Sequence, residues 1–217
     1  MDLDREIPFK VCFHQPRRED RRRQASEMFR MHGLRVRRWP GADAARIRHT
    51  RGFASTRQRA YFLSALLAIR EARRREQALL IFEDDVVLHD DFRDRVSELQ
   101  PPDDWGILYF GCLHVSPPEK IAPNLLRVTR AMDMHAVAIR SCWFHTLLRG
   151  LRPSALKRTS PFDVLFSDLH GVIPTYAAWP NLAWQRESHS DIAGRQYSNY
   201  STDGRQIYMA EKVAGIV

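Results

Sequence analysis

Lysine is scarce in this chain. Lys10, Lys120, Lys157 and Lys212 are the only four in 217 residues, so arginine carries almost all of the +8 net charge. Arginine's planar fork favours bidentate contact with phosphates, which points to an anionic partner such as a nucleotide, a nucleic acid or a phosphorylated glycan; codon bias in a GC-rich genome gives the same excess. Cysteine is scarce too. Cys12, Cys112 and Cys142 cannot all pair and none stands in a Cys-x-x-Cys spacing, so zinc or dithiol redox work is not indicated and buried free thiols are expected. No apolar run approaches the roughly 20 residues that span a bilayer. The start, Met1-Asp2-Leu3-Asp4-Arg5-Glu6, has no signal-peptide pattern, and a cytoplasmic protein is the expectation. Three familiar motifs are also missing. Without Gly-x-Gly-x-x-Gly after the first strand, a phosphate loop ending in Gly-Lys-Ser/Thr, or a Gly-x-Ser-x-Gly elbow, the sequence argues against dinucleotide, triphosphate-loop and serine-hydrolase sites.

What is present is an ordinary soluble composition, 44% hydrophobic and 28% charged, and a length that suits a single domain over 1–217. The most informative stretch runs from Ala78 through Leu79-Leu80-Ile81-Phe82 into Glu83-Asp84-Asp85 and on to Val86-Val87-Leu88. Clustered carboxylates at the end of an apolar strand repel one another and call for a cation. Hard divalent ions such as Mg²⁺ or Mn²⁺ take oxygen ligands and keep positions for a substrate diphosphate, so this stretch predicts a metal–diphosphate site.

Around it the periodicities predict alternating elements. Phe9 to Phe13 reads as a first strand, followed by a basic helix from about Glu19 to His32 with Ala25, Met28 and Phe29 at helical spacing and Gly33 just past its end. Arg17, Arg18, Arg21, Arg22 and Arg23 crowd its first turns, the unfavourable end of the helix dipole for cations; an anionic ligand or a solvated face accounts for them. Leu34 to Trp39 alternates as a half-buried second strand, and the loop after it offers Asp43 for a ribose or base, or as a plain turn residue. Ser55 to Glu76 has a helical stripe capped by Ser55 or Thr56, with Arg57 and Arg59 at the anion-friendly N-terminus. Two βα-like units ending in the acids indicate a Rossmann-like nucleotide-binding half.

Further strands are expected over Trp105 to Gly111, Leu125 to Thr129 and His135 to Ile139, with short helices after Asp90-Asp91 and Ser141 and a loop over His114 to Asn124. Ser160-Pro161-Phe162-Asp163 reads as a helix start in which Asp163 closes a capping box.

In order and spacing these pieces resemble glycosyltransferase family 25. The matching residues are the arginine-rich turn, Gly41-Ala42-Asp43-Ala44, Leu80 to Val86, Asp104 to Gly111, His135 to Ile139, Pro161-Phe162-Asp163, and Pro180 through Ile192. The resemblance implies a single-domain α/β fold of the GT-A (Rossmann-like) type, with a mostly parallel central sheet flanked by helices. About 1–88 would bind the donor and about 89–217 the acceptor. It implies an inverting transfer of a hexose from a UDP-sugar with Mn²⁺ or Mg²⁺, onto a cell-surface glycan. Carried over, Glu83-Asp84-Asp85 is the metal motif. Extended geometry puts Glu83 and Asp85 on one side of the strand and Asp84 on the other, in a structural role; the resemblance implies Asp85 on the metal with His189 as a further ligand, and Glu83 toward the ribose or sugar. Arg17, Arg57 and Arg59 face the diphosphate. Asp163 is the first candidate for the base, with Asp168 and Asp191 behind it. The chain departs from the family where Thr56-Arg57 replaces a Ser-His pair. Two other readings stand beside this one. In the first the acceptor is a hydroxymethylated pyrimidine in DNA, with Trp143, Trp179 or Trp184 stacking on a base. In the second the chain is a basic nucleic-acid-binding module without chemistry.

Overall fold

The computed structural model describes residues 1–15, 17–152, 160–186, 188–190 and 195–197. The first part of the chain forms α1 (Leu3–Glu6), β1 (Phe9–His14), α2 (Glu19–Met31), β2 (Arg37–Pro40), α3 (Thr56–Arg75), β3 (Leu79–Phe82), β4 (Val86–Leu88) and α4 (Phe92–Ser97). It continues with β5 (Ile107–His114), β6 (Glu119–Ala122), β7 (Leu125–Arg127), β8 (Ala131–Ile139), α5 (Phe144–Gly150) and α6 (Phe162–Ser167). The last elements are β9 (Thr175–Ala178), β10 (Ala183–Gln185), β11 (Ser188–Ser190) and β12 (Arg195–Tyr197).

The main sheet has eight strands in the order β2-β1-β3-β8-β5-β9-β7-β6. β1 is parallel to both β2 and β3, and β9 is parallel to β5, while β8 and β7 are antiparallel to their neighbours. Only β8 and β7 therefore oppose the other strands, and the expected mostly parallel α/β sheet is present. Strand side chains alternate between two cores. Leu79, Ile81, Val11, Tyr109 and Val137 pack with α3, α5 and α6 on one face, whereas Leu80, Phe82, Cys12, Phe110 and Ala138 pack with α1, α2 and α4 on the other.

The chain runs from β1 through α2 to β2, then crosses back through α3 to β3 on the other side of β1. That reversal leaves a crevice between the carboxyl ends of β1 and β3, the position where open α/β sheets bind ligands.

Several local expectations hold. Ser55 caps α3 by accepting from the Gln58 amide at 3.2 Å. Gly33 follows α2 at φ 61°, which a residue with a Cβ adopts at a cost. Others change. β2 begins at Arg37 and is an exposed edge rather than a half-buried alternating strand, because it pairs on one side only. The segment His114 to Asn124 holds β6, which adds its edge to β7 and so recruits polar residues that look like loop. Ser141 opens a 3-10 turn without capping it, and no side-chain cap forms at α6. Asp163 Oδ1 instead accepts from the next amide, Val164, at 2.9 Å. Cys12 and Cys112 are buried thiols, but Cys142 is exposed.

Candidate functional site

The carboxyl ends of β1, β2 and β3 open on one pocket of about 440 Å³, within the usual size of small-molecule sites. His14, Gln15, Arg17 and Arg21 line it from the β1–α2 side, 41–45 from the loop after β2, and Thr56, Arg57, Ala60, Tyr61 and Ser64 from one face of α3. Glu83, Asp84, Asp85 and Gln185 complete it. Ser64 ties the loop to the helix: its Oγ accepts from the Ala42 amide at 2.7 Å and donates to the Ala60 carbonyl at 2.7 Å.

The three acids lie on a turn, closed by the Val86 amide donating to the Glu83 carbonyl at 3.3 Å, and not on extended chain. Their sides consequently differ from a period-two expectation. Asp84 does not point away from Asp85: one nitrogen of Arg21, Nη1, lies 3.1 Å from Asp84 Oδ1 and 2.9 Å from Asp85 Oδ2. Gln185 Nε2 donates to the same Asp85 Oδ2 at 3.0 Å, and the Arg186 amide donates to the Asp85 carbonyl at 2.8 Å. Glu83 turns the other way, accepting from the Tyr61 hydroxyl at 2.8 Å, with His135 Nδ1 at 3.7 Å. His135 Nε2 in turn lies 4.0 Å from Asp133, whose backbone sits at φ 61°.

Burial and charge set these groups apart. Burial, reinforced by Asp85, pushes the Asp84 carboxyl up to about 6 despite Arg21 and the Gln15 amide. Burial raises Asp85 as well, with Glu83 adding to it. Glu83 is also buried, yet its contact with His135 and the Tyr61 hydroxyl hold it below the ordinary glutamate range. Burial lifts Asp133 to about 6 and outweighs the attraction of His135. His14 is held below the usual histidine range by burial, with help from Arg38 and Arg22.

The residues fit a divalent cation in two respects. Asp84 and Asp85 carry more negative charge than one guanidinium neutralises, and both ring nitrogens of the buried His14, 3.9 Å from Asp84 at the nearest, lack a hydrogen-bond partner. Among the described residues no three His, Cys, Asp or Glu side chains already converge as a metal site. The protein would supply few ligands and a diphosphate the rest, as is usual for Mg²⁺ sites.

Of the residues expected from sequence, Glu83, Asp84, Asp85, Asp43, Arg17 and Arg57 meet in the pocket. Asp43 also caps a 3-10 turn, accepting from the Ala45 amide at 2.9 Å. Arg59 is not among the lining residues and donates instead to the His49 carbonyl. Asp168 is exposed, 3.5 Å from Arg130, and also lies away from the lining. Asp163 does not line the pocket either, but its helix packs on it through Phe162 against Tyr61, with ring centroids 5.8 Å apart. Burial raises its carboxyl. The expected role of Asp191 lies outside the described residues, and so does the side chain of His189 on β11.

Sequence reasoning missed Arg21, His14, Tyr61, His135 and Gln185. Two signals were available. Arg21 stands four residues before Ala25 and so on the buried stripe of α2, and Arg57, Ala60, Tyr61 and Ser64 recur at helical spacing on one face of α3.

No family model matches the chain, and no curated protein matches it. Many solved structures are similar, among them the following three. A glycosyltransferase involved in glycosylation of the major capsid of PBCV-1 is 10% identical, with 78% of this chain and 92% of that one covered at a TM-score of 0.39. A mannose-1-phosphate geranyltransferase from Thermus thermophilus is 12% identical over 82% and 61% of the two chains, with a TM-score of 0.37. A Drosophila β-1,4-galactosyltransferase 7 mutant, in complex with manganese, UDP-Gal and xylobiose, is 12% identical over 90% and 77%, with a TM-score of 0.40. All three are distant.

Proposed function

We propose that this chain is a nucleotide-sugar-dependent glycosyltransferase of the GT-A type, moving a hexose from a UDP-sugar to a glycan hydroxyl with inversion. The observation that carries the proposal is the acid turn on the floor of a pocket that arginines enter from two helices, at the switch point of a doubly wound sheet. Arg17 in the turn before α2 and Arg57 in the first turn of α3, both exposed and both lining the pocket, suit the two phosphates of the donor. Asp43 suits the ribose hydroxyls. Glu83, kept ionised by His135 and oriented by Tyr61, accepts a hydroxyl of the sugar or ribose.

A divalent ion, Mn²⁺ or Mg²⁺, held at the acid turn would neutralise the leaving diphosphate as a Lewis acid. Asp163 is the proposed base, because burial raises its carboxyl in the direction that lets it take a proton from the acceptor hydroxyl near neutral pH.

Calorimetric titration with UDP, followed by an assay of UDP release from UDP-hexoses, tests this reading. Binding that Arg57→Ala weakens supports it. Absence of both UDP binding and UDP release overturns it and favours a basic module without chemistry. Transfer to hydroxymethylated DNA that falls steeply with salt would move the acceptor from glycan to nucleic acid.

A further inference from the structure

His14 is the last residue of β1 and only 3% exposed, yet it lines the pocket. Neither ring nitrogen has a hydrogen-bond partner. An unpaired polar group in such a place is costly and persists where a ligand completes it. What faces it is Asp84 Oδ2, 3.9 Å from Nδ1. That gap is too long for a hydrogen bond, and shorter than two metal–ligand bonds of about 2.1 Å laid end to end.

The neighbouring aspartates are not equivalent. Asp85 Oδ2 already accepts from Gln185 and takes the Arg21 contact, at 3.0 and 2.9 Å. Asp84 shares Arg21 through Oδ1 and leaves Oδ2 toward His14.

We propose that His14 Nδ1 and Asp84 Oδ2 are the protein ligands of the divalent ion, and that Asp85 is a positioning residue that fixes Arg21 and Gln185 beside it. This rests on the sugar-nucleotide reading of the same pocket, whose diphosphate supplies further ligands. It also specifies the ion. A nitrogen ligand favours Mn²⁺ or Co²⁺ over Mg²⁺, which prefers an all-oxygen shell.

Bound Mn²⁺ is counted by the loss of its free-ion electron spin resonance signal, with UDP present, in wild type, His14→Ala, His14→Asn, Asp84→Asn and Asp85→Asn. UDP binding in EDTA and circular dichroism serve as controls for folding and for the nucleotide site. The expected result is a loss of Mn²⁺ affinity on the order of tenfold or more in the His14 and Asp84 variants, with a smaller loss in Asp85→Asn. Competition with Mg²⁺ reads the same point independently of overall affinity: His14→Asn should narrow the Mn²⁺ over Mg²⁺ preference. Folded His14 variants that bind Mn²⁺ like wild type, with an unaltered preference, overturn the assignment. A wild type that binds UDP in EDTA but no Mn²⁺ overturns it too while leaving the nucleotide reading intact. Failure to bind UDP at all counts against the reading beneath.

Discussion

At the C-terminal end of α3, Arg73, Arg74 and Arg75 stand where a helix dipole favours cations, and two of them find partners at home. Arg74 and Arg75 share Glu71 at 2.8–2.9 Å, and Arg75 lies 4.9 Å from the centre of the Phe9 ring. At the N-terminal end of α2 the dipole opposes the same residue type. Arg18 and Arg22 settle locally on Asp20 and Glu19, but Arg21 turns inward and meets Asp84, 63 residues away in sequence. Arginines at two helix ends thus differ in what holds them. Arg74 and Arg75 follow the local field and stabilise their own helix, and Arg21 is held against that field by a buried pair of acids.

Removing Arg21 is the sharpest way to test that contrast. Arg21→Ala leaves two buried carboxylates without their cation, so unfolding in urea at pH 7 should show a loss of about 3–5 kcal/mol. The loss should shrink toward pH 4, where Asp84 and Asp85 can be protonated. A small, pH-independent change would place Arg21 with the surface arginines.

Next in size is Gly111→Ala. A Cβ there would overlap the Ala183 carbonyl, so β10 must move off β5 and carry Gln185 away from Asp85. A cost of about 1–3 kcal/mol is expected, with weaker UDP binding measured alongside.

Asp133 tests whether an imidazole can stand in for a guanidinium. Its folded carboxyl is raised to about 6, so the folded state holds a proton that the unfolded chain has released, and stability should fall as pH rises from about 4 to about 6. Asp133→Asn, which tolerates the positive φ, should flatten that part of the melting-temperature profile. An identical pH slope would show that His135 already neutralises the charge. The smallest effect belongs to the other helix end: Arg74→Ala, fully exposed, should leave the urea midpoint unchanged.

The first half of the sheet was legible because each element there carries its own period and stop signal: β1, the apolar stripes of α2 and α3, Gly33 and the Ser55 cap. The acid motif was legible as chemistry but not as geometry. Glu83 to Asp85 read as extended chain, whereas the Val86 to Glu83 bond folds them into a turn and brings Asp84 and Asp85 to one arginine. Nothing local encodes a pair 63 residues apart, so Arg21 read as one of five arginines that either an anionic ligand or a solvated face accounts for, with no partner singled out. β6 was hard for a related reason, whereas β2 was found, though at 37–40 and not at 34–39. Edge strands face solvent and lose the alternation that marks a strand.

β10 lies outside the main sheet and pairs with β4, setting Gln185 against Val86, the residue just after the acids. The pocket is therefore closed by a strand that arrives a hundred residues after the turn it closes. Shortening the chain to end before Ala183 would strip β4 of its partner strand and Asp85 of a donor at once, although every other lining residue lies before position 86. The smallest stretch that can hold the pocket intact extends through Gln185, so the first half of the chain cannot be cut free with its pocket complete.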